Sequence, residues 1–330
     1  MRFAIVGAGA IGGFVGACLA RSGAEVTLIA RGAHMAAMRD RGVVVHDGAD
    51  TFTVHPRVES SLAAIAGADV VILALKAHQL AQNAAELAAH LPADAALVAM
   101  QNGIPWWYFQ RIESPLEGLV LEAVDPKRRI IEAIDYAHII GCVVYASCEV
   151  IEPGVILHGS GKRFSLGEPS GALSDRVQRI AQAFSGAGLQ APVEANIRKE
   201  IWSKLLGNAA YNPISALTRS TTGEMLEDVH VVQLVREVMQ EATRLARAVG
   251  VSTDITIEKR IEASRRYANV RSSMLQDLLA ARPLELEPLI GAIVELGERI
   301  GVDVTATRHI YALAKLLDAG TTKKSIVART

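Results

Sequence analysis

Two hydrophobic rhythms divide this chain. Up to about residue 195, short apolar runs alternate with stretches of helical spacing. Arg2–Val6 is a β-rich run, followed by a helical pattern that reaches Arg21 and stops at Ser22-Gly23. Glu25–Ala30 predicts a second strand, and Val43–Val54 a hairpin turning at Asp47-Gly48. Ala68–Leu75 is almost continuously apolar, as in a parallel strand covered on both faces. A helix from about His78 to His90 and a strand over Ala95–Met100 follow. Gly141–Tyr145, Gly154–His158 and Phe164–Gly167 predict later strands broken by turns, and Ser174–Phe184 a helix capped by Ser174.

Beyond Ala195 the β pattern fades and apolar residues recur at helical spacing. Helices are expected over Thr222–Val249, Thr253–Tyr267, Ser272–Ala281, Glu285–Ile300 and Thr305–Leu317. The pattern therefore predicts two domains, an α/β half over residues 1–195 and an all-helical half over 196–330. No internal repeat, low-complexity segment or long linker interrupts it.

The first turn carries chemistry. Gly7-Ala8-Gly9-Ala10-Ile11-Gly12 stands between the first strand and the first helix, and the second strand follows at once. Strand, Gly-x-Gly-x-x-Gly, helix and strand in that order form the dinucleotide-binding fingerprint. Gly7 makes the tight turn, Gly9 lets the backbone approach a pyrophosphate at the helix amino terminus, and Gly12 lets the helix pack close to the strand. An NAD site usually ends its second strand in Asp or Glu. Here Arg31 stands there, and a guanidinium binds a 2′-phosphate that a carboxylate would repel, so the expected cofactor is NADP(H). Lys76 and Asn102 follow the next two strands of the sheet, at the edge where open α/β sheets bind ligands, and are expected to converge near the cofactor.

The helical half opens on a second signal. Ile197, Ile201, Leu205, Ala209, Leu206 and Ala210 make an apolar face. Lys204, Asn208 and Asn212 recur every fourth residue, so they span only about 80° of the helix surface. A lysine on an Ala- and Leu-rich helix must reach water, a carboxylate or a ligand. Pro213 is expected to weaken or kink the helix beside Asn212. The dense aromatic run Trp106-Trp107-Tyr108-Phe109 is either a pocket wall or a buried anchor, with the anchor favoured.

Composition narrows the function classes. The chain has 330 residues and a formal charge of −1, so no bulk electrostatic case exists for nucleic acid or an anionic membrane. Half its residues are hydrophobic, but glycines and charges interrupt every run before it reaches membrane-spanning length. The glycine-rich amino-terminal stretch, with a single arginine before it, is not expected to be a secretion signal. Three cysteines and scattered histidines fit a cytoplasmic protein without a structural metal site.

These pieces, taken together, resemble the ketopantoate reductase (2-dehydropantoate 2-reductase) family over most of the chain. The resemblance rests on Gly7–Gly12, Leu75–Ala77, Gln101–Gly103, Asn196–Lys204 with Asn208 and Asn212-Pro213, Ser272–Asp277, and Leu284–Leu286. It implies a Rossmann-type dinucleotide-binding domain, followed by an all-α domain like the carboxyl-terminal domain of 6-phosphogluconate dehydrogenase. It also implies substrate in the cleft between the two. By position, Lys204 matches the family's catalytic lysine, and Arg31 the 2′-phosphate contact. Lys76 and Asn102 match residues near the nicotinamide and substrate, and Asn208, Asn212, Ser273 and Glu285 match the substrate pocket.

The implied reaction is NADPH-dependent reduction of 2-dehydropantoate to (R)-pantoate, a step towards pantothenate and coenzyme A, with Lys204 as general acid. Asn208 would hold the lysine or the substrate oxygen, and Ser273 would donate to a carboxylate or cap a helix. Glu285 would accept from a substrate hydroxyl or hold charge against Lys204. Leu284–Glu287, Ile290-Gly291, Thr305–Thr307 and the aromatic run depart from the family pattern, all on the substrate side. Reduction of a different 2-oxo acid is therefore the alternative, and a non-catalytic NADP sensor a further one. A homodimer is compatible with the apolar helical half.

Overall fold

The computed structural model describes residues 1–253 and 255–327. Its contacts divide the chain into two compact units, one of Met1–Gln101 with Arg128–Ile197, the other of Asn102–Lys127 with Arg198 onward.

The first unit is built from β1 (Arg2–Val6), α1 (Ala10–Arg21), β2 (Glu25–Ile29), α2 (Gly32–Arg41), β3 (Val43–Asp47), β4 (Asp50–Val54), β5 (Arg57–Glu59) and β6 (Val70–Leu73). α3 (Ala77–His90), β7 (Ala96–Ala99), α4 (Arg129–Ala133), β8 (Ile139–Glu152), β9 (Val155–Gly167) and α5 (Asp175–Gly186) complete it. The nine strands of the described residues form one sheet in the order β4-β3-β9-β8-β7-β6-β1-β2-β5. The run from β5 to β8 is parallel, and β6 and β7 are buried at every position, which is why they read as unbroken apolar runs. The strand order reverses at β1, between β6 and β2, and this switch point is where doubly wound sheets bind ligands.

The expected strands after Gly141 are longer than their pattern suggests. β8 and β9 form one antiparallel hairpin, with register irregularities at Tyr145, Ser147 and Val150. The run from Gly159 to Gly161 looks like a turn in sequence. In the fold Gly161 takes φ +73° and its α-carbon lies against the Tyr145 carbonyl, so the chain bulges and continues as strand. The expected Asp47-Gly48 hairpin is present, joined to the sheet through β3 and β9. Ser174 caps α5 as expected, its Oγ accepting from the Val177 amide.

The second unit carries α6 (Ile197–Thr218), α7 (Thr222–Glu227), α8 (Val229–Ala248), α9 (Ile257–Ser264), α10 (Ser273–Leu279), α11 (Ala292–Ile300) and α12 (Thr305–Val327). Asp228 splits the single helix expected over Thr222–Val249. It takes extended backbone angles, and its carboxylate accepts from the amides of His230 and Val231 to start α8. The helix expected from Thr253 starts at Ile257, and Asp254 lies outside the described residues, as do 328–330 of the expected helical domain. Glu285 precedes, rather than opens, the helix expected there, and a π turn over Glu287–Gly291 leads into α11. Pro213 lies inside α6, which runs on to Thr218.

A boundary at 195/196 assigns Asn102–Lys127 to the first unit, whereas its contacts group it with the second. The reason is a set of specific bonds. Arg198 of α6 donates to the carbonyls of Tyr108 and Gln110 at 2.8 and 3.1 Å. Trp202 Nε1 donates to Tyr108 Oη at 2.7 Å, and Ile104 N donates to the Pro288 carbonyl at 2.9 Å. Glu295 of α11 accepts from the amides of Glu122 and Ala123 at 2.9 and 2.8 Å. Trp106, Trp107, Tyr108 and Phe109 are all buried, so the aromatic run is an anchor rather than a pocket wall.

Candidate active site

The glycine turn lies at the carboxyl end of β1. The amides of Gly7 and Ala8 both donate to the Ile29 carbonyl at 3.2 and 3.0 Å, tying the turn to β2. Gly7 has φ +96°, and a Cβ there would lie 2.9 Å from the Ala74 carbonyl carbon and oxygen. A Cβ at Gly12 would lie 2.3 Å from the Gly7 carbonyl oxygen and 2.9 Å from Ala74 Cβ, so only glycine lets α1 sit this close to the strands. Gly9 differs. It is the exposed residue ahead of α1, and a Cβ there would meet nothing within 4 Å. The first turn of α1, with Ala10 and Ile11, holds no acidic side chain. Backbone amides, a helix amino terminus and open space at Gly9 together suit the pyrophosphate of a dinucleotide.

Two cations flank this turn within the same unit. Arg31 lies just past β2, exposed, with Nη2 3.3 Å from Asn83 Oδ1. Lys76 precedes α3, and its backbone amide donates to Gln79 Oε1 at 3.2 Å. Sequence reasoning passed over His34. The Gly154 amide donates to its Nδ1 at 2.9 Å, and burial pushes the imidazole below the usual histidine range, which keeps that nitrogen free to accept.

The polar stripe of α6 belongs to the second unit. Lys204 Nζ donates to Asn102 Oδ1 at 2.6 Å. Asn212 is buried, and its Nδ2 lies 3.5 Å from Ser273 Oγ, the outer limit of a hydrogen bond. Asn208 lies between them on the stripe, half-buried. The cap of α10 is Ser272, whose Oγ accepts from the Leu275 amide, so Ser273 is released from that role. Glu285 is half-buried in a segment outside the helices, between the buried Leu284 and Leu286. The fold thus brings Lys204 to Asn102 and Asn212 to Ser273. Lys76 belongs to the first unit and Asn102 to the second.

What holds Asn102 was legible only in part. Gly103 takes φ +81°, and a Cβ there would lie 1.9 Å from the Pro288 carbonyl oxygen. The chain just after Asn102 is therefore pressed against the π turn and, through Tyr108, bonded to Arg198 and Trp202 of α6, the helix that carries Lys204. The density of aromatics at Trp106–Phe109 was the available signal. The arrangement can orient a lysine ammonium and present several neutral hydrogen-bonding groups beside it.

Known proteins match both parts of the chain. The family described as "Ketopantoate reductase PanE/ApbA" matches residues 3–171, and its carboxyl-terminal counterpart matches residues 196–318. A 2-dehydropantoate 2-reductase from Mesorhizobium japonicum is 42% identical over 96% of this chain and 98% of its own. A Ralstonia solanacearum MolK2 protein, solved as a candidate ketopantoate reductase, superposes with a TM-score of 0.91 at 39% identity, covering 98% of each chain. The ketopantoate reductase of Ralstonia eutropha JMP134 superposes with a TM-score of 0.84 at 28% identity, covering 97% of this chain and 99% of that one. A glycine turn at the switch point of a parallel sheet, a lysine on a helix of the second unit, and near-complete coverage by these relatives place the chain in the ketopantoate reductase family of oxidoreductases.

Proposed function

We propose that this protein reduces 2-dehydropantoate to (R)-pantoate with NADPH; a relative 42% identical to it is named 2-dehydropantoate 2-reductase. The observation that carries the reading is Lys204, held 2.6 Å from Asn102 Oδ1 on the helix that also presents Asn208 and Asn212. Gly7–Gly12 would hold the dinucleotide's pyrophosphate, Arg31 its 2′-phosphate, and Lys76 and Asn102 its nicotinamide end. Bound there, NADPH supplies the hydride that goes to the substrate's carbonyl carbon. As negative charge grows on the carbonyl oxygen, Lys204 stabilises it and gives it a proton, so a ketone, a hydride and a proton become an alcohol. Asn102 accepts a hydrogen bond from one ammonium N–H and so aims the others. Asn208, Asn212 and Ser273 hydrogen-bond the substrate's oxygens, and Glu285 accepts from its hydroxyl.

The test is oxidation of NADPH, read from loss of the reduced nicotinamide's near-ultraviolet absorbance, with 2-dehydropantoate as substrate and NADH in parallel. Rapid turnover with NADPH supports the reading. Tight NADPH binding with no turnover on this substrate, but turnover on another member of a 2-oxo acid panel, would replace 2-dehydropantoate by that acid. The departures at Leu284–Glu287 and Ile290-Gly291 favour running the panel in any case.

A further inference from the structure

Glycine inside a helix costs about 1 kcal/mol relative to alanine, yet α6 carries Gly207 in its middle. Arg260 of α9 explains it. A Cβ at Gly207 would lie 3.0 Å from Arg260 Nη2, 3.4 Å from Nε and 3.6 Å from Cζ, so the guanidinium lies against the bare backbone of α6. One turn further along α6, Tyr211 lies near Ser264 and Arg260. Burial raises the Tyr211 phenol, against the lowering influence of Ser264 and Arg260. Arg260 therefore lies beside α6 at Gly207.

The position matters because of what shares that surface. At about 100° per residue, Gly207 lies about 60° to one side of Lys204 on α6, and Asn212 about 80° to the other. The Arg260 guanidinium and the Asn212–Ser273 pair therefore bracket Lys204 and Asn208. Arg260 is half-buried. The two carboxylates of its own helix are taken, Glu258 facing Arg236 at 4.0 Å and Glu262 pairing with Arg265 at 3.0 Å. Among the described residues Arg260 itself has no ion-pair partner. A partly desolvated guanidinium without a counter-charge favours an anion, and its planar fork fits a carboxylate.

We propose that Arg260 receives the carboxylate of the substrate and so makes the site selective for 2-oxo acids over neutral ketones. The inference rests on the 2-oxo acid reading of Lys204 and names the group that enforces it. In such an acid the carboxylate is bonded directly to the carbonyl carbon. Two cations on one surface then divide the work: Arg260 takes the charge the substrate already carries, and Lys204 the charge that develops.

The experiment compares steady-state kinetics on 2-dehydropantoate and on its neutral lactone, using the full chain with Arg260→Gln, Arg260→Lys and Gly207→Ala. Arg260→Gln should raise KM for the acid roughly 10–100-fold, as expected for losing a charge-assisted pair, and leave the lactone within about 3-fold. Arg260→Lys should recover part of the loss, and Gly207→Ala, which pushes the guanidinium aside without removing its charge, should fall between. NADPH affinity, measured by fluorescence titration, should not move. Equal losses on acid and lactone, an unchanged KM for the acid, or a loss of NADPH affinity instead would each overturn the role of Arg260 while leaving wild-type turnover to support the reductase reading. If the wild type reduces no 2-oxo acid and its NADPH complex binds no oxamate in a calorimetric titration, the reading fails and the inference fails with it.

Discussion

Lys204 and Asn102 lie 102 positions apart in sequence and 2.6 Å apart in the fold, the ammonium donating to the side-chain amide oxygen. An amide oxygen is a neutral acceptor, so it orients the lysine without neutralising it. Lys204→Met should lower turnover by roughly 10²–10⁴-fold, the range of a lost general acid. Dinucleotide affinity, read by fluorescence titration, should survive. Unchanged turnover would remove Lys204 from the reaction. Asn102→Ala should lower kcat less, because the ammonium keeps its charge and loses only the acceptor that orients it.

Gly9→Ala and Gly12→Ala separate binding from folding. Open space surrounds Gly9, whereas a Cβ at Gly12 overlaps the Gly7 carbonyl. The first variant should melt within a degree or two of the wild type and lose most of its NADPH affinity. The second should lose roughly 1–3 kcal/mol in urea denaturation, as overpacked sites do. If Gly9→Ala binds NADPH normally, the pyrophosphate is held elsewhere.

Arg31→Ala bears on the choice between cofactors. If Arg31 reads the 2′-phosphate as proposed, losing its guanidinium should raise KM for NADPH roughly 10–100-fold and leave NADH nearly unchanged. Parallel changes for both cofactors would mean that Arg31 does not read the 2′-phosphate.

Asp47 should give the first unit an acid-sensitive contribution to stability. Burial pushes its carboxyl up, but the hydrogen bonds and charges of Lys162, at 2.6 Å, and His158, at 2.7 Å, outweigh this and hold it below the usual carboxylate range. A carboxyl whose folded pKa is depressed contributes stability above its unfolded pKa, and loses it as pH falls through the folded value. Asp47→Asn should therefore cost roughly 1–3 kcal/mol near neutral pH. The gap to the wild type should close on acidification below about pH 4, where unfolded carboxyls protonate. Urea denaturation at several pH values checks it, and a gap independent of pH would refute the electrostatic explanation.

Tyr108→Phe tests the clamp on the Asn102 segment. The buried Trp202 indole would lose its acceptor at 2.7 Å, and a buried unsatisfied donor costs about 1–3 kcal/mol. Chemical denaturation reads the loss. A variant as stable as the wild type would mean that the indole finds another partner.

Much of the architecture is local and was therefore visible in the sequence. β1, the glycine turn and α1 announce themselves through residue types that only one backbone path accommodates: Gly7 at positive φ and Gly12 under its carbonyl. The buried strands β6 and β7 read as apolar because both faces are covered. The stripe of Lys204, Asn208 and Asn212 follows from helical pitch alone. Where local rules misled, the deciding contact was distant. Gly161 reads as a turn but becomes a bulge because a partner strand continues past it, and Glu285 reads as helical but stands ahead of the helix, between two buried leucines.

By itself, then, the sequence determined most strands of the first unit, the glycine turn and the lysine-bearing helix, because periodicity and glycine conformation act within a few residues. Only the tertiary structure decided that Asn102–Lys127 packs with the helical unit, that Asn102 is the partner of Lys204, and that Arg260 lies against Gly207. Those pairings join residues far apart in the chain. Hydrogen-bond geometry and burial select them, and neither leaves a periodic trace in the sequence.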